Sequence, residues 1–259
     1  MLLPSLDAAR TYDRIYIAPH LDDAVLSCGG QIAQAVADGT RVLVVTLCAG
    51  SPPADAALTP FAQYLHAAWA LGNDPIAQRR AEDAAALSML GCDGLQLDQL
   101  DAPYRVAAYG EPEAWRGRVV ADDPLIAASR AILEQLHAQQ PAAPLYAPLG
   151  VGGHVDHQVV CAAGLALRTA GASVAWYEDA PYAAKAPAAI ETRLAELGWP
   201  LQPQIELIGA TLDRKLAAIC AYASQLRELF GDADMAQVMT AYAARVAAPQ
   251  GDFGERLWR

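Results

Sequence analysis

Residues 41–47, Arg-Val-Leu-Val-Val-Thr-Leu, form a nearly unbroken aliphatic and β-branched run between Gly39 and Gly50. A strand apolar on both faces needs cover on both faces, which a one-sided antiparallel sheet does not provide. Residues 14–18 and 144–148 have the same character. Between such runs lie amphipathic helical patterns over 22–37, 77–90, 123–139 and 155–170, punctuated by Gly39, Gly91 and the Asp123-Pro124 start. Shorter strands are expected at 94–100, 173–177 and 205–208, and further helices at 61–70, 187–197, 212–230 and 235–247. Strands that alternate with helices predict a mostly parallel central sheet covered on both faces, a Rossmann-like three-layer α/β sandwich. No internal repeat or low-complexity linker interrupts the pattern, so residues 1–259 are expected to form one domain.

In such a sheet, ligands bind beyond the carboxyl ends of the strands. Two stretches fall there: Pro19-His20-Leu21-Asp22-Asp23 after the first strand, and His154-Val155-Asp156-His157 after the 144–148 strand. They hold three of the five histidines of the chain. Plainer readings exist for each residue alone. Asp22 or Asp23 would suit a helix N-cap, and His154 with His157 would suit an i,i+3 pair on a solvated face. A cap does not explain two adjacent aspartates with a histidine just before them. The approach Gly150-Val151-Gly152-Gly153 permits positive φ or close contact, which a solvated face does not require. Imidazoles and carboxylates gathered at strand ends point instead to a catalytic divalent metal and hydrolysis.

The pair of motifs resembles the hallmark of the PIG-L (LmbE-like) family of metal-dependent N-deacetylases, Pro-His-x-Asp-Asp with a later His-x-Asp-His. Supporting segments include Arg79-Arg80-Ala81-Glu82, the stretch from Leu97 to Arg105, Tyr177-Glu178-Asp179-Ala180-Pro181-Tyr182, Tyr222-Ala223-Ser224-Gln225 and Gly254-Glu255-Arg256-Leu257-Trp258. The resemblance implies that His20, Asp23 and His157 hold the metal, Asp22 is the general base, protonated His154 stabilises the oxyanion, and Asp156 orients a histidine. Arg79 and Asp101 resemble sugar-binding positions, and the implied substrate is an N-acetylglucosamine-type amino sugar or small conjugate. Two imidazoles and a carboxylate leave open positions on Zn²⁺, and Fe²⁺ or another divalent metal would suit the same donors. The usual motif has Pro where this chain has Leu21 and Glu where it has Ala24, neither a ligand position.

Lesser candidates carry their own plain readings. Arg79 would suit an i,i+3 ion pair with Glu82, and Asp101 a turn. Tyr104, Tyr177, Glu178 and Tyr182 are candidates for the mouth of the site, which loops 51–75, 101–123 and 178–186 are expected to build. Gly29 and Gly30, inside a helix, are expected to pack closely on the sheet.

A net charge of −11 opposes nucleic-acid or anionic-membrane binding. No apolar run approaches the roughly 18 residues of a membrane span, and Met1 to Asp7 lacks a basic signal-peptide start, so a cytoplasmic protein is expected. Oligomeric state is not legible. The five cysteines form no Cys-x-x-Cys pair and read as small buried hydrophobes. Two other functions remain open at this stage. A metal-binding carbohydrate-recognition protein would keep the ligands without turnover. A non-haem Fe(II) oxygenase would take metal through His20, Asp22 and His157, but long helices between strands do not match its fold. A dinucleotide site is disfavoured because two carboxylates stand where a pyrophosphate would sit.

Overall fold

The computed structural model describes residues 1–5, 10–72 and 74–259; Leu6 and Asp7 of the N-terminal reading lie outside them. In chain order the elements are β1 (Leu2–Leu3), β2 (Arg14–Ala18), α1 (Asp23–Ala37), β3 (Val42–Thr46), α2 (Pro60–Trp69), α3 (Pro75–Leu90), β4 (Asp93–Gln96) and α4 (Ala102–Arg105). There follow α5 (Pro124–Gln139), β5 (Leu145–Pro148), α6 (Val155–Thr169), β6 (Val174–Tyr177), α7 (Tyr182–Lys185) and α8 (Ala188–Leu197). The chain closes with β7 (Pro203–Leu207), α9 (Leu212–Ile219), α10 (Ala223–Phe230), α11 (Met235–Val246) and β8 (Gly254–Trp258).

The strands join one sheet in the order β1-β4-β3-β2-β5-β6-β8-β7. All pairings from β1 to β6 are parallel, and β8 runs antiparallel between β6 and β7. The period of two along a strand sorts side chains into two cores. Ile15, Ile17, Leu43, Val45 and Leu145 meet α5 and α6 on one face. Tyr16, Ala18, Val42, Val44 and Tyr146 meet α1, α3 and α9 on the other. This is the expected three-layer α/β sandwich. Its topological switch lies at β2, whose neighbours β3 and β5 are reached in opposite directions. The crevice that such a reversal opens lies above β2 and β5, and both motif loops begin there.

Three local expectations fail for tertiary reasons. The helix expected over 212–230 breaks into α9 and α10. At the break, Tyr222 donates its hydroxyl proton to Asp83 Oδ1 (2.8 Å), and Glu82 accepts from the Ser224 amide (2.9 Å) and hydroxyl (2.6 Å). Gly29 and Gly30 pack against the 208–215 segment instead of the sheet. A Cβ on Gly30 would lie 2.6 Å from Ile208 Cδ1, and one on Gly29 would lie 3.1 Å from Lys215 Cγ. Four cysteines are buried, but Cys220, at the C-terminal end of α9, is exposed. Among the described residues no helix is long and apolar enough to cross a membrane.

Candidate active site

The loop after β2 is tight. Asp23 opens α1, and its Oδ2 accepts the His20 backbone N–H at 2.8 Å. Asp22 makes no capping hydrogen bond and sits at φ 134°, ψ −33°. That region is costly for a residue with a Cβ, of order 1–3 kcal/mol, and such strain clusters at functional sites. The strain turns the Asp22 carboxylate into the crevice rather than onto the helix end. After β5 the chain turns through Gly150, Gly152 and Gly153, all at positive φ. His154 then caps α6, its Nδ1 accepting the Asp156 N–H at 3.2 Å, and His157 follows in the first turn.

These loops bring three donor atoms into a near-equilateral triangle. His20 Nδ1 lies 3.2 Å from Asp23 Oδ2, His157 Nε2 lies 3.2 Å from the same oxygen, and the two nitrogens are 3.3 Å apart. A tetrahedral ion with bonds of about 2.0–2.1 Å spaces its donors by about 3.3–3.4 Å. The triangle therefore accepts a divalent ion without rearrangement. His20, His154 and His157 also offer ring nitrogens within 4.8 Å of one another. His154 spends Nδ1 on its cap, however, so the set with Asp23 is the tighter fit.

Buried carboxylates hold both imidazole rings of the triangle from behind. Asp156 Oδ2 lies 3.1 Å from His20 Nε2 and accepts the Ala102 N–H at 3.1 Å, while Oδ1 accepts from Arg105 at 2.6 Å. Asp179 Oδ1 lies 2.6 Å from His157 Nδ1, and its Oδ2 accepts the Gly150 and Val151 N–H groups at 2.8 Å each. Such partners fix the tautomer and orientation of metal-ligating histidines. Asp179 and Arg105 were not singled out from the sequence. Each lies far along the chain from the ring or carboxylate it holds, and the segments that contain them gave no role to either residue.

Electrostatics separate the groups by role. Burial opposes the charge on His20 and His157, but the facing carboxylates win. Asp23 and Asp179 raise His157 to about 10, and Asp101, Asp156 and Asp23 hold His20 well above its ordinary value. Asp23 is correspondingly held well below the usual carboxylate range, against burial, by His157 and His20. Positive charge is thus favoured where the three donor atoms converge. Asp22 behaves oppositely: burial and the Asp23 charge raise it to about 8, with Arg79 and His20 offsetting part of the rise. His154 is pushed down to about 3 by burial and by His20. In this arrangement the neutral ring is favoured. Because Nδ1 is an acceptor, the neutral ring carries its proton on Nε2 and donates into the crevice.

The pocket above these groups has a volume of about 200 Å³, walled by Phe61, Leu65, Trp69, Trp115 and Tyr182. Arg79 lies at its edge, stacked on Trp69 (4.6 Å), 3.1 Å from the Leu21 carbonyl oxygen and 3.5 Å from Asp22 Oδ2. The alternative ion pair with Glu82 does not form, since Glu82 holds Ser224 instead. Asp101 lines the pocket too, with Oδ1 3.4 Å from His20 Nε2. Of the four mouth candidates only Tyr182 lines the pocket. Tyr177 points into the sheet, donating to the Ile17 carbonyl (2.8 Å), and Glu178 binds Arg256 (2.8 Å) and Trp258 (3.0 Å). Tyr104 instead pairs with His66 at 2.8 Å. The three expected loops all contribute, and α10 adds Gln225 and Glu228, hidden in the sequence by the unforeseen helix break.

A family profile described as PIG-L, GlcNAc-PI de-N-acetylase, matches residues 15–168. The 2'-N-acetylparomamine deacetylase of Streptomyces fradiae is 28% identical over 251 residues, covering 86% of this chain and 80% of that protein. The solved structure of a zinc-inhibited teicoplanin deacetylase superposes with a TM-score of 0.78 at 29% identity, covering 94% of this chain and 96% of that one. A pseudoaglycone deacetylase gives a TM-score of 0.77 at 32% identity, over 96% and 97% of the two chains.

Proposed function

The chain belongs to the PIG-L family, and from that premise we propose that it is a zinc-dependent hydrolase removing the N-acetyl group from an N-acetylglucosamine-type amino sugar or its small conjugate. The observation that carries the reading is the triangle of His20 Nδ1, Asp23 Oδ2 and His157 Nε2, with the strained Asp22 carboxylate beside it. The named relatives act as deacetylases on 2'-N-acetylparomamine and teicoplanin, which supports an amino-sugar acetamide as substrate. His20, Asp23 and His157 would hold the ion. When bound, Zn²⁺ supplies Lewis-acid chemistry, acidifying water and polarising a carbonyl.

The residues of the chain do the rest. Asp22, raised to about 8, is basic enough to take a proton from water, and once protonated it delivers that proton to the departing amine. His154 donates Nε2–H towards the carbonyl oxygen as that oxygen gains negative charge. A neutral donor serves here, since the tautomer is already set by the cap of α6. Asp156 and Asp179 keep His20 and His157 from turning. Arg79 and Asp101 offer a donor and an acceptor to sugar hydroxyls, and Trp115 and Tyr182, inclined at 44° to each other, offer aromatic faces to a sugar ring. Because Asp22 acts deprotonated, kcat/KM rises with pH until that carboxylate has ionised, then levels off. The test is a fluorescamine screen for amine release from N-acetylglucosamine and its conjugates. Release with that pH profile supports the reading, and a fully metallated protein inert on every acetamide contradicts it.

A further inference from the structure

His20 has two ring nitrogens, and the function proposed above takes metal through Nδ1 alone. Behind the ring, Nε2 faces Asp156 Oδ2 at 3.1 Å and Asp101 Oδ1 at 3.4 Å. Cys48 completes the group, with Sγ 3.8 Å from Asp156 Oδ2. Donor atoms of His20, Cys48 and Asp156 all lie within 4.8 Å of one another, and all three residues are buried. Asp101 supplies an independent sign. It is 9% exposed, and its Oδ1, aimed at this cluster, accepts no hydrogen bond among the described residues. The cluster is also rigidly placed. Cys48 follows β3, where its N–H donates to the Pro19 carbonyl (2.9 Å), tying it to the loop that carries His20.

We propose that His20 Nε2, Asp156, Asp101 and Cys48 form a second, inhibitory binding site for a thiophilic divalent cation such as Zn²⁺. A tetrahedral ion with one sulfur bond of about 2.3 Å and others of about 2.0–2.1 Å spaces sulfur from its other donors by about 3.5 Å. The separation of 3.8 Å between Cys48 Sγ and Asp156 Oδ2 is close to that spacing. A thiol beside an imidazole and carboxylates selects Zn²⁺ or Co²⁺ over the harder Mg²⁺ and Ca²⁺. The balance is simple. The cation displaces the Cys48 thiol proton and the proton between His20 Nε2 and Asp156, and two protons go to solvent. Asp156 then holds the second ion instead of His20, and the ring bridges two cations. The catalytic arrangement loses the support that orients His20, and Asp101 is drawn away from substrate. Excess zinc therefore inhibits.

Cobalt titration of the metal-free protein tests this. The first equivalent fills the Nδ1 site, whose donors include no thiol. The second equivalent gives thiolate-to-cobalt charge-transfer absorption in the near ultraviolet. Cys48→Ser abolishes that absorption and weakens inhibition by excess zinc at least about tenfold. Cys48→Ala, with folding checked by circular dichroism, gives the same result if serine disturbs the loop. The inhibition arm rests on the deacetylase reading, but the spectral arm does not. Thiolate absorption with no amine release from any acetamide would uphold this site and sink that reading. Saturation at one cobalt per chain, or a second cobalt without thiolate absorption, overturns the proposal.

Discussion

The two loops at the switch point solve the same steric problem in opposite ways. Each must turn a chain sharply from a strand end into a helix. After β5 the turn is made by Gly150, Gly152 and Gly153, which take positive φ without a Cβ to clash. After β2 it is made by Asp22 at φ 134°. A glycine there would fold more easily but would bring no carboxylate to the crevice. The comparison teaches where this fold accepts strain: at the position whose side chain reacts, and not in the loop that only delivers His154 and His157. The same division appears in the charges. His157 is braced by Asp179, whereas Asp22 faces like charge and burial and is left reactive.

The largest expected effect lies in the strained loop. Asp22→Asn should lower kcat by about 10²–10⁴ in the amine-release assay. It should also raise thermal stability at high pH. The folded protein raises Asp22 above its ordinary value, so its stabilising contribution is lost as pH rises through about 8. Neutral asparagine escapes that loss, so the two proteins should melt alike near pH 4 and diverge progressively up to about pH 8. Equal melting temperatures at all pH values would remove the claim that Asp22 is held under strain and like charge. Next, His154→Ala should cost about 10²–10³ in kcat while metal content by elemental analysis stays unchanged. Loss of the metal instead would make His154 a ligand. Asp179→Asn should weaken metal binding by about 10–100-fold, read by competition with a chelator.

The smallest effects distinguish the glycines. Gly153→Ala meets no atom within 4 Å and should cost only its positive φ, about 1–2 kcal/mol. At Gly152 a Cβ would lie 2.6 Å from Tyr182 Cγ, adding about 1–3 kcal/mol of overpacking and moving an aromatic wall of the pocket. Chemical denaturation of both variants should rank them in that order. The reverse order would mean that the glycine loop is not what seats Tyr182.

The layered architecture was legible because β2, β3 and β5 carry apolar residues on both faces, a pattern that only a doubly covered sheet rewards. The motif residues were legible because they follow those strands directly in sequence. What lay beyond reading was set by long-range contact. Asp179 reaches His157 from the end of β6, and Arg105 reaches Asp156 from α4, with nothing local to announce either. The break that brings Gln225 to the pocket contains neither glycine nor proline and is held by Asp83 and Glu82 on another helix. The antiparallel strand β8, between β6 and β7, carries a buried Glu255 that accepts Gly30 and Gln31 N–H groups at 2.9 Å and pairs with Lys215 at 2.6 Å. A charged residue at that position conceals a buried strand from any pattern based on hydrophobicity.

The central claim is that Asp23, and not Asp22, joins His20 and His157 around the ion, leaving Asp22 for proton transfer. Elemental analysis of wild type and Asp22→Asn, each reconstituted with stoichiometric zinc and assayed for amine release, tests it most directly. The account predicts about one ion per chain in both proteins, with turnover lost only in the variant. An Asp22→Asn protein that no longer retains zinc, or a wild type that takes up none, would contradict it.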